Sequence, residues 1–382
     1  MKPSKSVLVI YDPSQAGITA HVRGFHFQQA LRDRGWGMEF LAYSPSSPDS
    51  LRCAWRELNI ALHARRYGIV YLLKVSSLTL VRRLETIAGT QVVFDLTDSL
   101  WREEVGGAAW RDLDRILAES DAVFTCNSYD TSYGARFNAS TVCLPSYADV
   151  EEFQRMRAAR PLRTDGRVRI GWIGSPSTLP GIGKVADVLD HLADRHPAIE
   201  LRVVGCRDEK DLPVFRHLKV SLGPASYDRR TMIEEILDMD IGIFPIVIDV
   251  EDYCVRGPLK ALNYMAGSVP CVCHRAGECV RLIDDGKSGM LADGPEEWEA
   301  KLEQLVCDPR LRQEMGRAGL VTVRAAYSFE KAVDDLEAAF GSVLEKRRAR
   351  SPLTAGAQVL DQIVRLVART LYRVLTPGSW GR

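Results

Sequence analysis

Two stretches of this chain place glycine at a helix start in the way that anionic ligands require, and one of them adds cations. The first is RGPLKALNYMAGSVPCV, residues 256–272. Arg256, Gly257 and Pro258 read as a loop, and Lys260 to Ala266 as a short helix capped by Gly267, with a buried strand after Pro270. Cations and unfilled amides at a helix N-terminus suit a diphosphate. Asn263 lies one turn beyond Lys260 on the same face, where its amide reaches a ribose hydroxyl. Spacing alone is equally satisfied by Arg256 and Lys260 as solvated surface charges. The second stretch is GWIGSPST, residues 171–178, where Gly174 ends a strand and Ser175 opens the following turn. A glycine there lets backbone amides approach a phosphate. The G-K-[ST] ending of a Walker loop is missing, and most strand–glycine–helix junctions are structural.

The surrounding elements must hold these loops at the carboxyl ends of parallel strands, where ligands of α/β sheets bind. Short β-branched runs alternate with helical patterns, the signature of crossover-connected parallel sheets. Strands are predicted at Val7–Tyr11, Met38–Tyr43, Ile69–Leu73, Gln91–Asp95, Ala122–Cys126 and Thr141–Leu144. A helix is predicted from His21 to Arg34, capped by Gly35. After a polar, basic stretch the pattern restarts at Val168–Ile173, Glu200–Val204, Lys219–Leu222, Ile241–Phe244 and Val269–Cys273. The expected fold is α/β, with two Rossmann-like doubly wound domains. Residues 1–150 form the first, 151–167 a linker and 168–327 the second, followed by a C-terminal helix over 328–344 and a tail over 345–382.

Bulk properties agree with that reading. A length of 382 residues exceeds what one core usually organises. Lys plus Arg and Asp plus Glu number 50 each, so no basic field for nucleic acid exists over the whole chain. The nine cysteines form no C-x-x-C pair. Cys271 and Cys273 share one strand face, as reduced small hydrophobes. No signal-like or membrane-spanning run is present in the sequence, which predicts a cytoplasmic body. The tail departs from this neutrality. Eight cations from Lys346 to Arg382 face two carboxylates, Glu345 and Asp361, and Arg365, Arg369 and Arg373 recur every four residues opposite an apolar side. Residues 351–376 therefore read either as a peripheral anchor for an anionic membrane at its inner face or as a helix packed back on the body.

Residues 168–327 resemble the donor domain of the group 1 (family 4-like) retaining glycosyltransferases of the GT-B fold. GWIGSPST, LRVVG (201–205), LDMDIGIFPI (237–246), LKALNYMAGSVPCV and the run from Gly286 to Ser328 carry the resemblance. RGFHFQQALRDRGWGMEFL and VVFDLTDSLW (92–101) extend it into the first half. The resemblance implies transfer of a sugar from a UDP- or GDP-linked donor to a glycan, lipid-linked or small-molecule acceptor, with retention and without a protein-bound metal or other cofactor. The leaving diphosphate would be held by Arg256, Lys260 and the amides of Gly257 and Gly174, with Ser175 beside them and the loop Asp12–Thr19, containing Gly17, facing the phosphates across a cleft. Asp95 and Asp98 would end a strand at that cleft and orient the acceptor hydroxyl, unless Asp98 only caps a helix. His21 on the first helix is more simply structural.

Some positions depart from the family. Two glutamates eight apart in many relatives are Val255 and Asn263 here, and Asn263 matches a branch with an amide. The Arg/Lys pair after the first donor-domain strand has no clear match in PSTLPGIGK, where Lys184 is the nearest cation, and Arg281 replaces a glutamate. These departures keep an alternative open: a non-catalytic GT-B-fold binding or scaffold subunit that has lost donor-site residues. A nucleotide-sugar epimerase would share the architecture, but the sequence offers no distinctive acid/base set for it.

Overall fold

The computed structural model describes residues 5–45, 51–98, 100–101, 110–161, 163–246 and 257–346. The chain forms two compact units. One comprises the residues up to Thr125, Asp130–Cys143 and those from Asp335 on, and the other Cys126–Tyr129 and Leu144–Asp334.

The first unit is built on a parallel sheet in the order β2-β1-β3-β4-β5-β6. The strands are β1 (Ser6–Tyr11), β2 (Gly37–Ala42), β3 (Ile69–Leu73), β4 (Gln91–Leu96), β5 (Ala122–Thr125) and β6 (Thr141–Cys143). Strands β3, β4 and β5 are buried at every position, as a sheet covered on both faces demands. The expected His21–Arg34 helix is instead two. Pro13–Arg23 and Gln28–Asp33 are separated at Gly24, where a Cβ would lie 2.8 Å from the Ala20 carbonyl and 3.1 Å from the Phe40 ring. Gly35 does adopt the left-handed conformation expected of a cap, at φ 82°.

The second unit has the order β12-β11-β10-β7-β8-β9, again parallel. Its strands are β7 (Val168–Ile173), β8 (Ile199–Val204), β9 (Lys219–Leu222), β10 (Ile241–Phe244), β11 (Cys271–His274) and β12 (Met290–Ala292). The last of these, three residues long, escaped the sequence reading.

The stretch read as a linker does not behave as one. Val150–Ala158 is a helix whose Val150 and Phe153 enter the core of the second unit. The basic residues after it are clamped beneath that sheet. Arg160 pairs with Asp238, and Arg163 with Asp240 while donating to the Asp238 carbonyl at 2.7 Å. The aspartates of LDMDIGIFPI thus fix the start of β10, and Asp240 also accepts the Arg169 amide at 2.8 Å.

The final helix, Phe329–Glu345, buries Val333, Leu336, Phe340, Val343 and Leu344 at the expected spacing. From Asp335 on it belongs to the first unit. Phe340 meets the rings of Trp36, Tyr71 and Phe124, while Glu337 accepts from Trp36 Nε1 at 3.0 Å and pairs with Arg34 at 3.1 Å. The tail beyond Lys346, including 351–376, lies outside the described residues. Among those described, no helix is long and apolar enough to cross a membrane.

The Trp36 N–H bond, with Arg34 and Lys5, holds the Glu337 carboxyl below the ordinary glutamate value despite some desolvation. A depressed folded-state value adds stability above the unfolded value, and that stability is lost as pH falls through the folded one. Glu337→Gln should therefore lower the stability at neutral pH, by about 1 kcal/mol or less for so solvated a group. The difference should vanish in acid, as followed by calorimetry.

Candidate functional site

In the second sheet successive strands are added in one direction from β7 to β9 and in the other from β10 to β12, which makes the gap between the carboxyl ends of β7 and β10 the switch point where ligands of such sheets bind. The two strands pair at Ile170–Ile241 and Gly171–Gly242 and then part. Tyr264, fully buried on the Leu259–Ala266 helix, fills the opening. Its hydroxyl accepts from the Ile173 amide at 3.2 Å and donates to the Ile243 carbonyl at 3.2 Å. Burial pushes its pKa well above the ordinary phenol value, so it stays a donor. The close approach of the Tyr264 ring to Gly242 leaves no room there for a side chain.

Tyr264 thereby sets the helix that carries Lys260 and Asn263. Its far end closes in a Schellman motif, with the Val269 amide on the Tyr264 carbonyl and the Ser268 amide on that of Met265, both at 2.9 Å. Gly267 is the C-cap, as expected, and the left-handed residue is the next one, Ser268 (φ 53°). At its start, Pro258 provides no side-chain cap, so the first-turn amides have no partner within the helix.

Lys260 reaches across the switch point. Its Nζ donates to Thr178 Oγ1 at 3.0 Å and lies 4.5 Å from the Trp172 ring centroid and 5.0 Å from that of Phe244. Gly174 permits this approach: a Cβ there would sit 2.8 Å from Lys260 Nζ and 2.7 Å from both Thr178 Oγ1 and Trp172 Cζ2. Trp172 is fully buried, and its Nε1 has no partner among the described residues. Ser175 is exposed at the start of the 3-10 segment Pro176–Val185, its hydroxyl 2.9 Å from that of Ser177. Asn263 is buried, its amide nitrogen 3.6 Å from Met232 Sδ. Gly257 packs against Ser146, where a Cβ would fall 2.8 Å from its Oγ. Lys260, Gly174 and Thr178 are thus brought together. Arg256 and Val255 lie outside the described residues. Thr178, Trp172, Phe244 and Tyr264 were missed, because in the sequence they are ordinary strand, turn and helix residues.

Three expectations are corrected. The Gly174 amide donates to the Val204 carbonyl at 3.1 Å and is not offered to a ligand. Gly17 is not in a loop: the helix starts at Pro13 with Asp12 as its N-cap, bonded to Ser14 N at 2.9 Å, so the fifth amide, that of Gly17, falls past the unfilled first turn. Asp95 is fully buried, held by Arg23 at 2.8 and 3.1 Å and by the Tyr71 hydroxyl, so it does not meet an acceptor. Its Oδ1 and the Thr97 hydroxyl, on the same strand face, have no partner among the described residues. Asp98 is half-exposed and pairs with Lys74 at the end of the neighbouring strand. Both residues are left-handed without being glycine, at φ 59° and 53°, a strain that clusters at functional positions. His21 is exposed and stacks on His26 at 5.9 Å, and Lys184 and Arg281 are exposed.

Among the described residues no group of three or more His, Cys, Asp or Glu is arranged to hold a metal ion. Cys271 and Cys273 are buried in β11, where desolvation pushes the Cys273 thiol up and keeps it inert.

Residues 167–308 match the family model described as Glycosyl transferases group 1. A D-inositol 3-phosphate glycosyltransferase of Corynebacterium jeikeium is 30% identical over 199 residues, 47% of this chain and 47% of that protein. Its namesake in Stackebrandtia nassauensis is 28% identical over 316 residues, 76% of this chain and 67% of that protein. The match thus spans about half the length of the first relative and two thirds of the second. Among solved structures, Anabaena HepE in complex with UDP and glucose aligns with a TM-score of 0.64 at 13% identity, covering 88% of this chain and 99% of that one. The fold is GT-B, and the stretch that matches the group 1 glycosyltransferase model lies within the second unit.

Tyr264→Phe should cost about 1–3 kcal/mol in denaturant melts, since it strands two buried backbone groups. Gly174→Ala should cost a similar amount through overpacking, and it should displace Lys260, visible as a shifted ammonium resonance for that residue.

Proposed function

We propose that this chain is a glycosyltransferase that takes a UDP-linked sugar and delivers the sugar to a glycan or small-molecule acceptor. The observation that carries the reading is Lys260. A cation is drawn over the β7–β10 switch point onto Thr178, between two aromatic faces, beside a glycine that cannot be enlarged. When the glycosidic bond to the donor breaks, negative charge develops on the diphosphate. Lys260 and the first-turn amides of its helix meet that charge without reorganising. Asn263 is assigned to the ribose, and Asp98, released from Lys74, to the acceptor hydroxyl.

The UDP in the HepE complex supports uridine over guanosine. Retention is proposed by family likeness. The site supplies its positive charge from side chain and backbone, so the reading needs no protein-bound metal.

Calorimetry with UDP and GDP tests this. UDP should bind, and Lys260→Ala should weaken it about tenfold to a hundredfold, the worth of one charge-assisted bond. EDTA should leave binding unchanged. Tighter binding of GDP, or indifference to Lys260→Ala, would overturn the assignment. Acceptor assays begin with inositol 3-phosphate, the compound in the relatives' names, and the anomeric proton coupling of the product reads retention directly.

A further inference from the structure

The Leu51–Ala64 helix of the first unit has two apolar faces. Cys53, Ala54, Glu57, Ile60, Ala61 and Ala64 form the buried one. Glu57 there is enclosed by Tyr43 Oη at 2.9 Å, Thr79 Oγ1 at 2.7 Å, the Ser77 hydroxyl and the Arg83 guanidinium. The opposite face carries Leu51, Trp55, Leu58 and Leu62, spaced four, three and four residues apart, which is one stripe at 100° per residue. It looks into solvent: Trp55 is 66% exposed, Leu51 57% and Leu62 46%. Arg52 lies beside the stripe and Arg56 further round the helix, its guanidinium 5.1 Å from the Tyr43 ring centroid, while Arg65 and Arg66 are exposed in the turn that follows Ala64. Since Glu57 is enclosed, the helix shows solvent no carboxylate. The acid touching its edge is Glu39, engaged by His63 at 3.2 Å and by the Tyr67 hydroxyl.

We infer that this face docks on an anionic phospholipid surface. The leucines and the indole enter the boundary between headgroups and acyl chains, and the arginines meet lipid phosphates while their stems stay on the apolar side. Charge decides among occupants. A second copy of the chain, pairing through the same face about a two-fold axis, would set arginine against arginine. A sheet of phosphates offers the complement along the whole helix. The site is independent of the switch point in the second unit and of the tail.

Flotation of the full-length chain with vesicles of phosphatidylcholine, alone or with roughly a third phosphatidylglycerol, tests this. The chain should float with the anionic vesicles and not with the neutral ones. Trp55→Ser with Leu62→Ser, and separately Arg52→Gln with Arg65→Gln, should each lower the bound fraction about tenfold. All these side chains are exposed, so circular-dichroism melts of the variants should match wild type. A chain ending at Lys346 should still float. The inference fails if wild type stays in the pellet, if the helix variants float like wild type, or if loss of the tail alone abolishes flotation. It fails equally if sedimentation velocity shows that the serine variant breaks a dimer.

Discussion

Parallel strands β7 and β10 begin as hydrogen-bonded neighbours and separate before they end, and the backbone groups exposed by that parting need partners away from water. One phenol supplies them. Because the Tyr264 hydroxyl accepts from one strand and donates to the other, the helix bearing it is fixed to both strands at once. Everything offered at the switch point follows from that attachment. Lys260 lies four residues back on the same helix, Asn263 is the adjacent residue, and the Schellman closure at Ser268 depends on the Tyr264 carbonyl. The glycines at 174 and 242 record the same constraint from the strand side, one admitting the lysine and the other the ring.

Much of this frame was legible beforehand. All eleven anticipated strands are present, because buried parallel strands read as continuous β-branched runs; Ile69–Leu73, Val168–Ile173, Lys219–Leu222 and Ile241–Phe244 match end to end and the other seven within one or two residues. Lys260 was also visible, as a cation at a helix start after a glycine loop. Tyr264 was not, since a tyrosine inside LNYMA looks like any core aromatic, and its role depends on two strands parting at a particular residue. The stretch read as a linker, 151–167, misled for a related reason. Arginine, proline and glycine read as a solvated linker until their carboxylate partners, Asp238 and Asp240, are brought beneath them by the fold.

The first unit shows the difference between a polar residue that serves the fold and one held ready. Asp95 and Asp98 sit three apart after the same run of apolar residues, and by sequence they are interchangeable. Burial separates them. Asp95 ties the Pro13–Arg23 helix to β3 and β4 through Arg23 and Tyr71, whereas Asp98 sits at the surface on a strained backbone, balanced by a lysine from the adjacent strand end.

The seating of Phe340 among Trp36, Tyr71 and Phe124 has a meaning for biosynthesis. Trp36 and its acceptor Glu337 are 301 residues apart in the chain. A ribosome releases the first unit's sheet long before the helix that covers one of its faces. Until then an apolar surface of aromatic rings waits unfinished, while the second unit, whose core residues are nearly all contained between Leu144 and Asp334, is free to fold in the interval. The unit made first is thus the one completed last, which makes it the part of this protein most in need of a chaperone.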